Sequence, residues 1–202
     1  MKSLEEQIKA CRICVEEPDG TPLPHEPRPV VQLSRTARIL ISGQAPGTRV
    51  HQSGRPFTDP SGDRLREWLG VGEDVFYDPA HIAIVPMGLC FPGLDAKGGD
   101  LPPRKECARI WHQRIFSEMP QVELVLAIGQ YAQKYHLGAR RGKSLTATVA
   151  NWQTYIEPGQ GVPVLPLPHP SWRNNSWLKK HAWFEDDVLP ALRQRVSKLI
   201  DG

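Results

Sequence analysis

One segment, from Ile39 to Phe57, constrains the fold of this chain more than any other. It opens with the apolar run Ile39-Leu40-Ile41, typical of a buried strand, and breaks at Gly43-Gln44-Ala45-Pro46-Gly47. Glycine and proline this close together stop strands and helices and let the backbone approach a ligand. A strand that ends in such a loop is where α/β proteins usually hold their ligand. An ordinary turn would show the same pattern, so the prediction of a binding site depends on a second motif, His169-Pro170-Ser171, which also ends an apolar run.

Strands and helices alternate along the rest of the chain. Four strands are predicted at about 37–42, 81–85, 122–128 and 162–167, and the prolines of the last place it at an edge or a strand end. Helices are predicted from Ser3 to about Cys14 and over 61–69, 103–119, 130–136, 144–152 and 183–200, the last bent or restarted near Pro190. Alternation of this kind indicates an α/β fold, a three-layer α/β/α sandwich around a central, mainly parallel four-stranded sheet. We expect one domain over 1–202.

Composition excludes several classes of protein. The chain has 202 residues, of which 40% are apolar and 23% charged, which is typical of one soluble globular domain. No run of about 18 apolar residues predicts a membrane span, and the polar start is unlike a signal peptide, so we expect no membrane partner and a cytoplasmic location. The net charge is only +3, so any surface that binds nucleic acid has to be local.

The four cysteines form two pairs. Cys11 and Cys14 make a C-x-x-C motif, and Cys90 and Cys107 flank a loop rich in glycine and proline. Disulfides are not expected in the cytoplasm. One interpretation is four unrelated buried thiols, because free cysteine packs as a small apolar side chain. The other is one shared four-thiolate site for zinc or an iron–sulfur cluster, between which the spacing does not decide.

The Gly43–Gly47 loop with Gly54-Arg55-Pro56-Phe57, the cysteine pattern and the His169-Pro170-Ser171 motif together resemble the uracil-DNA glycosylase superfamily, in particular its bacterial and archaeal iron–sulfur branches. The resemblance covers nearly the whole chain, with the motifs in the expected order. It implies an α/β/α sandwich, a monomer, and an enzyme that flips a damaged base out of DNA and hydrolyses its N-glycosidic bond. It also implies a structural 4Fe–4S cluster, with zinc as the second choice, held by Cys11, Cys14, Cys90 and Cys107.

The same resemblance assigns roles in a base pocket. His169 would donate to the base as it leaves with negative charge, Phe57 would stack on the flipped base, and Gln44 would help to position base or water. Without the family, His169 reads as a loop histidine held by prolines and Phe57 as a core aromatic. The predicted substrate-binding residues are Gly43, Ala45, Pro46, Gly47, Phe57 and Ser171.

Residues that follow the histidine motif are predicted to hold DNA. Trp172 or Arg173 would wedge into the stack where the base has left, and nearby cations would meet phosphates. The predicted DNA-binding residues are Trp172, Arg173, Asn174, Lys179 and Lys180. A second basic group, Arg140, Arg141 and Lys143, is explained equally well as solvated surface charge.

Three positions depart from the family pattern. Ala45 stands where classical members have aspartate, Gln44 where iron–sulfur members often have glutamate, and residues 83–89 contain no asparagine to read the pyrimidine edge. Glutamine can orient a water by hydrogen bonds but cannot act as its base. Asp59 and Asp63 are the nearby carboxylates, and Asp59 joins His169 and Gln44 in the predicted catalytic set.

The sequence thus predicts a monofunctional DNA glycosylase that excises uracil or a related deaminated base in base excision repair. The departures favour one alternative, a nucleic-acid-binding protein that kept the fold and lost most or all turnover. A hydrolase of free nucleosides is a third interpretation, which the tryptophan-bearing loop disfavours because a free nucleotide needs no wedge.

Overall fold

Four parallel strands form the centre of the molecule in a computed structural model that describes residues 3–157, 159 and 161–202. The strand order is β2-β1-β3-β4, and every residue in these strands is buried. Continuous burial is what a parallel sheet covered on both faces requires, which explains their unbroken apolar runs. The strands are β1 (Ile39–Ser42), β2 (Ile82–Ile84), β3 (Leu124–Ile128) and β4 (Val164–Leu167).

Side chains of successive strand residues enter two separate cores. Leu40, Val125 and Val164 belong to one hydrophobic cluster, and Ile39, Ile41 and neighbours belong to the other. This alternation follows from the two-residue period of a strand. The sheet is therefore the middle of three layers, and the predicted α/β/α sandwich with a four-stranded sheet is confirmed. β4, with Pro166, lies at the edge as predicted.

Each face of the sheet is covered by helices from different parts of the chain. The first face packs against α1 (Leu4–Lys9), α2 (Ile13–Glu16), α6 (Lys105–Cys107), α7 (Gln113–Ser117), α8 (Gly129–Leu137) and α10 (Trp152–Tyr155). The second packs against α4 (Pro60–Leu69), α5 (Glu73–Phe76), α9 (Leu145–Ala150) and α12 (Leu189–Asp201). Two further short helices, α3 (Thr48–Ser53) and α11 (Asn175–Lys180), flank the loops that follow β1 and β4.

The first predicted helix is shorter than expected. The Ser3–Glu6 capping box is confirmed. The helix ends at Lys9 and a second one begins at Ile13, so the prediction of a single helix to about Cys14 was wrong. The turn between the two places Cys11 Sγ 3.3 Å from the Trp111 indole Nε1.

The predicted helix over 103–119 begins at Lys105 instead and contains a π-helical segment, Ala108–His112. π segments inside α-helices are frequent at functional sites. This one places the buried His112 imidazole 3.2 Å from the Pro86 carbonyl oxygen. At the end of the chain a second π segment, Phe184–Val188, precedes α12, which begins at Leu189 with Pro190 in its first turn. The sequence predicted a helix bent or restarted near Pro190, and the structure shows a change from π-helix to α-helix at Leu189.

No helix among the described residues is both long and apolar enough to cross a membrane. That residues 1–202 fold as one domain stays a prediction.

Candidate active site

A small pocket of about 80 Å³ opens at the carboxyl ends of β1, β2 and β4. The carboxyl edge of a parallel sheet is where ligands of α/β proteins bind. The pocket brings together all three predicted catalytic residues and five of the six predicted substrate-binding residues, while Ser171 is not among the lining residues. Its lining is Gly43, Gln44, Ala45, Pro46, Gly47, Phe57, Asp59, Ser61, Asp100 and His169, with the apolar Val30, Val50, Pro56, Ile84 and Pro86.

The loop after β1 is fixed by hydrogen bonds to the loop after β2. Met87 N–H donates to the Gly43 carbonyl and Gly88 N–H donates to the Gln44 carbonyl, both at 2.9 Å. The buried Ser42 hydroxyl donates to the Val85 carbonyl at 3.1 Å. These bonds hold the Gln44 backbone, whereas its side-chain amide has no hydrogen-bond partner among the described residues and is available to a ligand.

Phe57 lies in the pocket with a strained backbone. Its φ of 53° is the one positive value of a residue other than glycine in the described chain. The Tyr77 hydroxyl donates to the Pro56 and Phe57 carbonyls at 2.8 and 3.1 Å. A β-carbon on Gly62 would lie 1.8 Å from the Phe57 carbonyl oxygen, so only glycine permits this approach. Strain of this kind persists where surrounding contacts enforce it, and here it directs the ring towards Gly43.

The Phe57 ring covers the start of the glycine loop. A β-carbon on Gly43 would lie 3.5 Å from Phe57 Cζ. On its other side the ring packs edge-on against Phe76, with 6.0 Å between ring centroids. The ring is therefore held both by the core and by the backbone, and its half-buried position leaves it partly open to the pocket.

His169 is held in one tautomer. The Ser171 backbone N–H donates to His169 Nδ1 at 3.2 Å, so the proton of the neutral imidazole is on Nε2. Burial lowers the pKa of His169, while the Asp59 and Asp100 carboxylates oppose that shift. The Asn174 side-chain amide donates to the His169 carbonyl at 2.6 Å and fixes the loop. His169 therefore offers the pocket a neutral N–H donor.

Two carboxylates line the pocket, and only one was predicted. Asp59 caps helix α4: its Oδ1 accepts the Ser61 hydroxyl at 2.6 Å and the Gly62 N–H at 3.3 Å. Asp63, the other nearby carboxylate, is 73% exposed and pairs with Arg66, so it does not reach the pocket. Asp100, which sequence reasoning missed, lines the pocket from a loop more than forty residues further along the chain.

The predicted DNA-binding loop follows His169 on the surface. Trp172 is 73% exposed, and the Arg173 guanidinium lies 5.9 Å from the centroid of its ring. Arg64 on α4 donates to the Ser171 carbonyl at 3.3 Å and to Asn175 Oδ1 at 2.8 Å, which ties the loop to the helix that Asp59 caps. Lys179 and Lys180 are exposed in the last turn of α11.

Asn174 and Ser171 contact His169 and not the pocket directly, which a sequence pattern could not show. Arg140, from the second basic group, lines a groove with Val122 and Val162, at the amino ends of β3 and β4. Arg140 therefore lies at the opposite edge of the sheet from the pocket.

The four cysteines approach one another on the first face of the sheet. Cys14, Cys90 and Cys107 are buried and Cys11 is partly buried. A hydrogen bond with Cys107 lowers the pKa of Cys14 to about 7 and raises that of Cys107, while burial raises the pKa of Cys90 to about 12. Among the described residues, no three histidine, cysteine or carboxylate side chains are arranged to hold one metal ion.

N–H donors point at two of the four sulfurs. Trp111 Nε1 donates to Cys11 at 3.3 Å and Leu89 N to Cys107 at 3.4 Å. The Arg104 guanidinium acts to lower the pKa of Cys14, and the Arg28 backbone N–H acts to lower that of Cys90. In iron–sulfur proteins, hydrogen bonds to the sulfurs tune the reduction potential of the cluster. In donor type and hydrogen bonding, these residues fit a thiolate-held group.

Two comparisons with known proteins bear on the family of this chain. A family model described as the uracil DNA glycosylase superfamily matches residues 31–193. That range contains Cys90, Cys107 and every lining residue of the pocket except Val30, and excludes Cys11 and Cys14. One similar solved structure is the solution NMR structure of a protein from Methanosarcina acetivorans provisionally named a uracil DNA glycosylase. It is 17% identical, with a TM-score of 0.49, and the match covers 81% of this chain and 94% of that one. The family match spans most of the chain, and this protein belongs to the uracil DNA glycosylase superfamily.

Proposed function

We propose that this protein is a monofunctional DNA glycosylase that excises uracil or a related deaminated base. The observation that carries the proposal is the tautomer of His169. Because His169 Nδ1 accepts the Ser171 N–H, the Nε2–H of His169 is left to donate into the pocket that the Phe57 ring lines. Excision leaves negative charge on the base, and a fixed donor aimed at a base carbonyl stabilises that charge as it develops.

The rest of the pocket supports the same reaction. Phe57 supplies a face on which a flipped base can stack, and the free Gln44 amide can hydrogen-bond either to its edge or to a water. No lysine is among the described residues that line the pocket, which supports direct attack by water without a Schiff base.

DNA would be held by the surface beside the pocket. The exposed Trp172 with Arg173 over its ring is placed to fill the gap left by a flipped base, and Lys179 and Lys180 extend the cationic surface. Asn174 has its amide committed to the His169 carbonyl, so its contribution is to shape the loop.

We propose further that Cys11, Cys14, Cys90 and Cys107 hold a 4Fe–4S cluster, with zinc as the second choice. The cluster would be structural, joining the first two helices to the segment 90–107. Purified protein with broad visible absorption and about four irons per chain would support this. A colourless protein with one zinc per chain would replace the cluster with zinc and keep the shared site.

The second candidate is a binding protein with the same fold and little turnover. Gln44 and Ala45 bring no carboxylate to the loop, and the Asp59 carboxylate already caps a helix. These observations favour it, and the test below separates it from the enzyme.

The test is single-turnover cleavage of labelled single- and double-stranded oligonucleotides that each carry one uracil, hypoxanthine or xanthine, with abasic sites revealed by alkali. Free deoxyuridine is included as substrate. Cleavage of a base in DNA but not of the free nucleoside is expected. Binding to the same DNA without cleavage of any base would establish the second candidate instead.

A further inference from the structure

Two carboxylates face the pocket, and they differ in what else they do. Asp59 Oδ1 accepts two hydrogen bonds at the start of α4, from the Ser61 hydroxyl and the Gly62 N–H. Among the described residues, the Asp100 carboxylate accepts no hydrogen bond. Asp59 is therefore committed to the helix, and the oxygens of Asp100 are available to a water or a substrate.

A short hairpin fixes Asp100 beside the glycine loop. Leu94 and Asp100 form an antiparallel bridge, and Asp95 Oδ1 closes the turn between them by accepting the Lys97 and Gly99 N–H groups, both at 2.8 Å. A β-carbon on Gly47 would lie 3.8 Å from Asp100 Oδ2. The carboxylate is thus held against the loop that lines the pocket.

The charges around Asp100 suit a proton acceptor. Although it lies at the exposed rim, partial burial of the carboxyl raises the pKa of Asp100, and Asp59 and Asp95 raise it further. Arg173 and His169 act in the opposite direction. A carboxylate whose pKa lies above its ordinary value accepts a proton from water more readily.

We propose that Asp100 activates the attacking water, with Asp59 as a positioning residue that fixes α4. This inference rests on the glycosylase function proposed above. In the reaction the bond between the base nitrogen and C1′ breaks, and its electron pair stays on the base, which His169 Nε2–H stabilises. The water oxygen bonds to C1′, and the proton it loses passes to Asp100.

The proposal accounts for the missing family carboxylates. Gln44 and Ala45 stand where an acidic residue would otherwise handle water. Here an acidic side chain reaches the same pocket from the segment between Cys90 and Cys107. The role has moved from the loop after β1 to the loop after β2.

The test compares Asp100→Asn, Asp59→Asn and Asp63→Asn in single-turnover cleavage of whichever base the wild-type protein excises. Asp100→Asn is expected to slow cleavage by about 10²- to 10⁴-fold, the range of general-base catalysis. Asp59→Asn should lose less than about tenfold, because asparagine caps a helix as well as aspartate. Asp63→Asn, the exposed control, should match the wild type.

Two further readouts separate chemistry from structure. The wild-type rate should fall as pH falls through the pKa of Asp100, above the ordinary aspartate value of about 3.9, and this limb should disappear in Asp100→Asn. Asp100→Asn should also weaken binding of duplex with a cationic pyrrolidine abasic analogue by about tenfold, and leave binding of the neutral tetrahydrofuran analogue unchanged.

An Asp100→Asn variant as fast as the wild type, or a larger loss in Asp59→Asn, would overturn the assignment while leaving the glycosylase function intact. If the wild-type protein excises no base, both the assignment of Asp100 and the proposed glycosylase function are wrong.

Discussion

The pocket and the cysteine cluster, meaning Cys11, Cys14, Cys90 and Cys107, both form where distant segments meet, but they are held in different ways. In the pocket, backbone hydrogen bonds fix the Gln44 backbone, the Tyr77 hydroxyl fixes the Phe57 backbone, and a helix cap fixes Asp59. In the cysteine cluster, Cys14 and Cys107 hydrogen-bond to each other, and the described side chains form no ready site for one ion. The pocket is preorganised by the protein, whereas the cysteine cluster, in the function proposed above, would be completed by the group that it holds.

The largest expected effect concerns the cysteine cluster. Cys107→Ser should remove visible absorption and lower the free energy of unfolding by about 5 kcal/mol or more, because the energy of binding a structural metal group is folding energy. Denaturant unfolding and iron analysis measure it. Met119→Leu, a substitution of another buried sulfur residue, should cost less than about 1.5 kcal/mol. Unchanged absorption and stability in Cys107→Ser would mean that the cysteines are ordinary core residues.

The second prediction concerns the pocket. His169→Ala should slow base excision by about 10²- to 10³-fold, the cost of losing one donor to a developing anion, and leave the Tm within a few degrees of the wild type. Single-turnover cleavage and thermal unfolding measure the two effects. His81→Ala, away from the pocket, is the control. Comparable turnover in the His169 variant would show that the pocket donor has no catalytic role.

A third prediction concerns His112, in the π segment Ala108–His112, and how stability depends on pH. Burial lowers the pKa of the fully buried His112 to about 4, and that of His136 likewise. In the unfolded chain these histidines take up protons below about pH 6.5, their ordinary pKa, whereas in the folded chain they do so only near pH 4. The free energy of unfolding therefore falls as the pH falls through this window. For His112 the loss over this window is roughly 3 kcal/mol.

Denaturant unfolding at pH 7, 5.5 and 4.5 measures this loss. His112→Gln, which retains a donor for the Pro86 carbonyl and cannot take up the proton, should show a shallower fall than the wild type. His81→Gln is the matched surface control. An unchanged pH slope in the His112 variant would contradict the assignment.

The smallest effect concerns how closely the pocket is packed. Gly62→Ala places a β-carbon 1.8 Å from the Phe57 carbonyl oxygen, which must move. We expect a loss of roughly 1 to 3 kcal/mol in stability and slower cleavage, since the Phe57 ring moves with its backbone. Gly20→Ala is the control, with no atom within 4 Å of the new carbon. An equally stable and active Gly62 variant would show that the strained Phe57 backbone is not needed.

Much of the fold followed from local patterns. The four strands are short and almost entirely apolar, as strands of a buried parallel sheet are, and Ser3 and Glu6 form the capping box that their spacing predicts. Local sequence specifies such features because they depend on neighbours within a few residues. The roles of His169 and Phe57 were predicted from motifs that resemble those of the family, and the structure places both residues in one pocket.

The parts that were missed depend on long-range contacts. Asp100 lies in a polar, glycine-rich loop, and its place in the pocket is set by a hairpin packing against Gly47. The tautomer of His169 and the commitment of Asp59 to a cap are properties of hydrogen bonds, which residue types alone do not reveal. The π segment that aims His112 at Pro86 likewise has no pattern of its own. For Asp100, the one available signal was its position directly after two glycines and shortly before two prolines, in a loop.

The most direct test of the proposed function is a crystal structure with duplex DNA that contains 2′-fluoro-2′-deoxyarabinouridine, which resists cleavage. We expect the uracil to be flipped out of the helix, with its ring against Phe57 and His169 Nε2 about 2.7 to 3.1 Å from a base carbonyl oxygen. A water should lie between C1′ and Asp100. A uracil that remains stacked in the duplex, or one bound with His169 turned away from it, would contradict the proposed function of this pocket.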